Sequence, residues 1–278
     1  MINWPTHLVA SLAGALIRLV KVNRVTFRKM GDREFVFKER HRLSWLLILP
    51  GNLVLRWRQV PVQVLPTHQW KAWERTVTPF DHTCDETSSR ALTIAKIEGV
   101  PLAQLLSHSD LPIAQKLNLV SLAAAALHGL HQQVRETSDF GRIQLSHGDA
   151  TVRNAMMGLD SDTATWFDFD LRHDLNIPAT LRHADDLRAL LFSAAHYFPF
   201  ENLTDLIHIT RKTYDKGEVW HELDRQLHNR WFRLDVFHFA HTRPPTPTKT
   251  KLAFGDFSHQ QTTALVELIG SVSFLGEP

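Results

Sequence analysis

LSHGDATVRNAMM at residues 145–157, followed by TWFDFD at 165–170, is the stretch whose reading decides the fold. It carries His147, Asp149, Asn154 and Asp168. Asp149 and Asn154 lie five residues apart, and Asp168 follows Asn154 by 14. IQLSHGD reads as a strand running into a loop, AMM as a short strand and TATWFDF as another. A hairpin then separates Asn154 from Asp168 and returns its end beside its start. Asn154 and Asp168 are thereby able to share one Mg²⁺ site, since both offer the hard oxygen ligands that magnesium prefers. Asp149 falls at the hairpin mouth, free to receive a hydroxyl proton. Any one of the four alone reads better as a loop cap or turn residue. The four together, each beside a hydrophobic strand, supply what phosphoryl transfer needs: a metal to neutralise phosphate charge and a carboxylate to orient the attacking oxygen.

Outward toward the N-terminus, 91–99 (ALTIAKIEG) reads as a strand leaving into a turn, and Pro101 starts a short helix. HQWKAWERTV at 68–77 has helical character, with Trp70, Trp73 and Val77 on one face. Residues 43–58 read as a helix, a break at Pro50–Gly51, then a strand NLVLRW. Residues 24–40 read as a hairpin about the turn Met30, Gly31, Asp32. Residues 6–20 read as a helix that packs on the body or lies on a membrane face. Its apolar run is too short to span a bilayer, which takes about 20 residues.

Outward toward the C-terminus the signals are mostly helical. Pro112 opens a helix to about Gln133, with Leu119, Leu122, Ala126 and Leu130 in one stripe. Helices follow at 185–196, 219–238 and 260–269, with a proline-rich linker, TRPPTPTK, before the last. Strands with one helix come first and helices dominate later. The expected division is a small lobe over 1–99 and a helical lobe over 100–278, with a nucleotide cleft between them. Apolar residues make up 44% of the 278, enough for a sizeable core and too many for a disordered chain. The single cysteine, Cys84, excludes an internal disulfide framework and fits a reducing compartment. Net charge is only +2, but residues 18–58 hold eleven Lys and Arg against three Asp and Glu. Such a basic face suits phosphate, a membrane surface or simple solvation. No nucleic-acid-binding signature accompanies it, so no nucleic-acid partner is expected.

HGDATVRN resembles the catalytic loop of the protein-kinase-like superfamily, in the form found in aminoglycoside and choline phosphotransferases and in bacterial lipopolysaccharide-sugar kinases. DFD at 168–170 resembles the metal-binding DFG motif, and ALTIAKIEGVPLAQLL resembles the hinge strand and following helix. The resemblance covers residues 24–240 and is specific over 145–170. It implies an α+β, bilobal protein-kinase-like fold, with a small antiparallel sheet lobe and a larger helical lobe. It implies ATP and Mg²⁺ as cofactors. Asp149 becomes the catalytic aspartate, Asn154 the second metal ligand and Asp168 the principal one. His147 becomes the residue that holds the loop in shape. Asp186 becomes the aspartate of the buried helix that braces the loop, with Asp185 as its rival. The family also expects a lysine on the third strand paired with a glutamate on the first helix. Lys38 with Glu74 is the choice, although 36 residues separate them and an insertion must intervene. Arg56 lies closer to Glu74 but is the wrong residue, because arginine keeps the charge without the geometry. Gly-x-Gly-x-x-Gly is missing, and only the turn at 30–32 remains to cover phosphates.

The same resemblance speaks to the acceptor. Protein kinases carry a lysine two residues after the catalytic aspartate, where this chain has Thr151. They also carry a long activation segment ending in Ala-Pro-Glu, whereas 17 residues separate Asp168 from Asp186 and include no such element. The expected function is therefore phosphotransfer to a hydroxyl of a small molecule, sugar or glycolipid, in the cytoplasm or at the inner face of a membrane. A Ser/Thr protein kinase and a catalytically weak scaffold are the alternatives. Arg153 stands as a source of the missing positive charge or as a surface residue. Trp220, Trp231, Phe232, Phe237 and Phe239 wall an acceptor site or fill the core.

Overall fold

Alternation in the first strands sets the small lobe. β1 (Asn23–Met30) and β2 (Arg33–Arg40) pair antiparallel from Asn23 opposite Arg40 to Met30 opposite Arg33. The computed structural model describes residues 23–41, 44–57, 61–78, 82–83, 90–160, 162–228 and 254–273. Gly31, with a φ of 63°, closes the turn between these strands, a conformation that glycine adopts without a Cβ penalty. Residues 44–57 then depart from expectation. They form one helix, α1 (Trp45–Trp57), with Pro50 inside it, so NLVLRW is helical and not a strand. The proline withholds one N–H from the ladder, but the leucine-rich sequence on both sides favours helix and carries the turn through.

β3 (Val62–Val64) follows, then α2 (Thr67–Val77), β4 (His82–Thr83) and β5 (Ala91–Ala95). The four-stranded antiparallel sheet runs β1-β2-β5-β4, and α2 buries Trp70, Trp73, Glu74 and Val77. α1 is the insertion expected between Lys38 and Glu74. It is clamped to β3 by one side chain: Asn52 donates to the Val64 carbonyl at 2.9 Å and accepts the Val64 N–H at 2.8 Å.

The larger lobe starts with β6 (Val100–Pro101), α3 (Leu102–Leu106) and α4 (Ile113–Gln132). A hairpin unread in the sequence follows, β7 (Val134–Thr137) with β8 (Gly141–Gln144). β9 (Ala155–Met157) and β10 (Ala164–Trp166) make the expected hairpin, and β6 joins β9 to give the sheet β10-β9-β6. β11 (Leu171–His173) pairs back with β3 of the small lobe. α5 (Ala179–Ala195) starts earlier than expected, and α6 (Leu203–Thr213), α7 (Gly217–His228) and α8 (Phe254–Ser273) complete the lobe. α5 packs on α7, α4 on α6, and α8 across α6 and α7.

The result is an α+β fold in two lobes, one of small antiparallel strands and one mostly helical. Trp220 is fully buried and donates its indole N–H to the Tyr214 carbonyl at 2.9 Å, so it belongs to the core. The helix expected over 6–20, Cys84, the linker, and Trp231, Phe232, Phe237 and Phe239 lie outside the described residues. Among the described residues no helix is long and apolar enough to cross a membrane.

The passage between lobes is tight at Gly99. Its φ is 146°, and a Cβ there would sit 2.1 Å from the Met157 carbonyl oxygen. Gly99→Ala is expected to cost about 3 kcal/mol, from backbone strain plus the clash. Gly31→Ala, with open space around it, is expected to cost only about 1 kcal/mol. Urea unfolding of both variants checks this, and equal midpoints would overturn the assignment of Gly99 as a steric constraint.

Candidate active site

Period-two geometry puts Lys38 and Arg40 on one face of β2, and both are buried. The 3.6-residue period of α2 brings Glu74 to the same place from the middle of an apolar stripe. Lys38 Nζ meets Glu74 Oε1 at 3.0 Å, Asp168 Oδ1 at 2.6 Å and Asp170 Oδ1 at 3.0 Å. Lys38 and Glu74 therefore meet despite their separation in sequence. Arg56 is exposed on α1. The turn at 30–32 is far from Lys38. Gly31 lies seven residues along the hairpin from Lys38, which is more than about 20 Å at strand rise. The expectation that this turn covers phosphates is thus overturned by register, and the end of β1 nearest Lys38 is the one holding Asn23.

The loop before β9 hangs on Asp186. Its Oδ2 accepts the His147 N–H at 2.7 Å, and its Oδ1 accepts the Gly148 N–H at 2.8 Å. His131 Nε2 lies 3.0 Å from Oδ2. Burial opposes the charge on Asp186, yet His173 and His131 outweigh it and hold the carboxyl down at about 2. Asp185 takes Arg188 and His173, the latter at 3.1 Å and set between the two aspartates, 4.0 Å from Asp186 Oδ1. Of the two rivals, Asp186 is the one that touches the loop backbone. Gly148 has a φ of 86°, and a Cβ there would come 2.8 Å from the Leu171 carbonyl oxygen, so the loop lies directly on β11.

His147 holds the shape of this loop from inside. The Asp149 N–H donates to its Nδ1 at 3.2 Å, so Nε2 carries the proton and donates to the Phe167 carbonyl at 2.9 Å. The ring packs on Phe169 at 4.4 Å and edge-on to Trp166 at 5.3 Å. Burial keeps the imidazole neutral. His147 thus ties the Asp149 segment to the DFD segment and does not project into open space.

Asn154 donates Nδ2 to the Asp149 backbone oxygen at 2.8 Å and to its Oδ2 at 2.9 Å. Asp149 Oδ1 is buried without a hydrogen-bond partner among the described residues, so one oxygen of this carboxylate is left to accept a donor. The Phe167 N–H donates to the Asn154 carbonyl at 2.9 Å, so the hairpin returns Asp168 to the neighbourhood of Asn154 as expected. Asp168 has a φ of 66°, a strained conformation for a residue with a side chain. Phe169 is buried under His147 while Asp168 and Asp170 both reach Lys38.

Four carboxylates, Glu74, Asp149, Asp168 and Asp170, face two cations, Lys38 and Arg40. Burial first, then the neighbouring carboxylates, push Asp168 and Glu74 above the usual range. Burial works against the charge on Lys38, but Asp168, Asp170 and Glu74 outweigh it and raise its pKa. The cluster is short of positive charge, as a site for a divalent cation would be. The donor chemistry fits Mg²⁺: Asp168 offers a carboxylate, and Asn154, with Nδ2 committed to Asp149, offers Oδ1. Among the described residues no group of three His, Cys, Asp or Glu is arranged around a metal position. Magnesium bound through one or two protein oxygens, completed by phosphates and water, needs none.

Sequence reasoning missed Asp170, Trp70, Asn23 and Arg40. Trp70 donates Nε1 to Asp170 Oδ1 at 3.0 Å, Asn23 bonds Asp170 Oδ2, and the Arg40 guanidinium lies over the Trp70 ring at 4.7 Å. Trp70 stands four residues before Glu74, which was a readable sign that both point the same way. Arg153 lies beside His196 and Tyr197, just beyond the end of α5.

The elements make a two-lobed α+β arrangement, a small lobe of antiparallel strands followed by a mostly helical one. No family model matches the chain, and no curated protein matches its sequence. An ethanolamine kinase from Plasmodium vivax is similar in shape, with a TM-score of 0.45 and 9% identity over 98% of this chain and 88% of that one. A Mycobacterium tuberculosis protein in complex with erythromycin is similar with a TM-score of 0.34 and 15% identity, over 91% of this chain and 71% of that one. Both likenesses are distant and concern shape alone.

The buried histidines around Asp186 make stability sensitive to acid. His183 stacks on His131 at 3.9 Å, donates Nε2 to the Leu145 carbonyl at 3.0 Å, and is pushed by burial, then by His131, down to about 2. A depressed histidine contributes its full stability above the unfolded value near 6.5 and loses it as pH falls below that value. His183→Gln removes this proton uptake. Below pH 6.5 the wild type is expected to lose about 1.4 kcal/mol per pH unit more than His183→Gln. Parallel pH profiles of unfolding free energy from pH 7 to 5 would overturn it.

Proposed function

We propose that the chain is an ATP-dependent phosphotransferase acting on a hydroxyl of a small molecule, sugar or glycolipid. The observation that carries this reading is the meeting of Lys38, Glu74 and Asp168, from three separate elements, beside a loop that presents Asp149 with one unpartnered oxygen. Directly opposed strand residues share a face, so Val25 and Phe27 lie on the Lys38 side of the sheet with Val36. Val25 is 49% exposed and Phe27 68%. That bare apolar strip suits the flat ring of a nucleobase whose phosphates extend toward Lys38.

In this reading Asp149 accepts the acceptor's hydroxyl proton as its oxygen bonds to the terminal phosphorus and the bond to the leaving diphosphate breaks. Its work is largely positioning, because the transition state is loose. Asn154 holds the Asp149 carboxylate in line, and His147 and Asp186 hold the backbone beneath it. Lys38, aimed by Glu74, meets the phosphates of the nucleotide. Asp168 and Asn154 would hold Mg²⁺, which supplies charge neutralisation to the phosphates when bound. A small acceptor is supported by β11, which takes up the chain directly after DFD in a strand pair with β3 and leaves little room for a peptide-binding segment. The single cysteine and the use of ATP suit the cytoplasm.

Calorimetry of ATP binding with and without Mg²⁺ tests the proposal. Wild type should bind with metal, and Asp168→Ala should lose the metal-dependent part. Asp149→Ala should bind ATP normally and lower turnover about a thousandfold, within the usual range for a missing general base. Folded wild type that fails to bind ATP would leave a scaffold built on the same fold.

A further inference from the structure

Asp170 occupies the third position of DFD, and no step above uses it. Its carboxylate receives three donors from three elements: Lys38 Nζ on β2 at 3.0 Å, Trp70 Nε1 on α2 at 3.0 Å, and Asn23 Nδ2 at the start of β1. Asn23 is itself held by Arg40, whose Nε donates to Asn23 Oδ1 at 3.2 Å. Trp70 is fully buried, so Asp170 answers a donor that would otherwise have no partner. α2 therefore reaches the DFD segment directly through Trp70 onto Asp170 and, one turn on, indirectly through Glu74 onto Lys38 of β2, which itself meets Asp168 and Asp170.

A lysine ammonium has three N–H bonds, and Lys38 faces three carboxylates. It can turn a donor to a phosphate only after one of them lets go. Asp168 is the partner with the most exposed side chain, 39% against 28% for Asp170 and 1% for Glu74. With Asp168 released, Glu74 and Asp170 still fix the ammonium from two sides.

We propose that Asp170 is a positioning residue that locks α2 and Lys38 into their working arrangement before nucleotide arrives, through Trp70 and Asn23. The proposal rests on the phosphotransferase reading for its purpose, but the lock itself is a property of the protein without nucleotide. It gives the small lobe a second tie to the DFD segment beside the Lys38–Asp168 pair, and this tie runs through the carboxylate at 170.

Hydrogen exchange on the nucleotide-free chain tests the lock directly. In Asp170→Ala the amides of α2 should exchange about tenfold faster, while those of α4 in the larger lobe keep their wild-type rates. Trp70→Phe, which keeps the ring and removes the donor, should give a similar local effect, and the double variant should add nothing to it. Unchanged α2 exchange in Asp170→Ala, or equal acceleration of α2 and α4, would overturn the lock. Calorimetry with Mg·ATP and with adenosine then tests its consequence. Asp170→Ala should weaken Mg·ATP about tenfold, the scale of one charge-assisted hydrogen bond, and leave adenosine unaffected. In a Lys38→Met background the same change should cause no further loss, and an undiminished loss there would count against action through Lys38. Wild type that ignores Mg·ATP while α2 still loosens in Asp170→Ala would remove the phosphotransferase reading and keep the lock.

Discussion

The structure depends on one buried carboxylate. Asp186 sits in the middle of α5, inside the larger lobe, and cannot stay charged there without donors. It finds them in two consecutive backbone amides, those of His147 and Gly148, and in His131. Two N–H groups converging on one carboxylate fix the direction of the chain at that point. Gly148 alone could turn this tightly against β11. The orientation of Asp149, one residue further on, follows from that geometry.

From the loop the constraint passes to the second lobe by a chain of polar contacts. His147 reaches the carbonyl of Phe167 and packs on Phe169, so the DFD segment is set by the same loop that sets Asp149. Asp168 and Asp170 then take Lys38, and Lys38 takes Glu74. The strand pair β3–β11 adds a backbone tie in parallel with these side-chain ones. The lobes are joined by the residues that form the site, so the excess of carboxylates is a feature of the junction itself. Such an excess is costly to hold in a buried junction.

Much of this was legible before any coordinates. The spacing of Asp149, Asn154 and Asp168 is local, and a short hairpin is a simple enough device for sequence to reveal it. The helix of residues 68–77 showed its face through Trp70, Trp73 and Val77. The family resemblance put Lys38 and Glu74 forward as a pair, with Arg56 as the rival, and left open whether they meet. Local reasoning went astray at 52–57, where LVL reads as strand by composition but continues a helix that tolerates Pro50. It also placed the turn at Gly31 near the phosphates, because a turn's sequence says nothing about which end of a hairpin faces a cleft. Asp170 passed unnoticed for a similar reason: its partners lie 147, 132 and 100 residues away.

By itself the sequence determined the chemistry available, because ionisable side chains at fixed spacing around a hairpin leave few alternative geometries. It also determined the two-part order of strands and then helices, through the periods of its apolar residues. Only the tertiary structure decided which lysine meets which glutamate, which of two adjacent aspartates braces the loop, and that a third carboxylate joins Lys38. Those choices depend on contacts between segments far apart in the chain. Such contacts are settled by packing and by the need to satisfy buried charge, and neither leaves a mark in a short window of sequence.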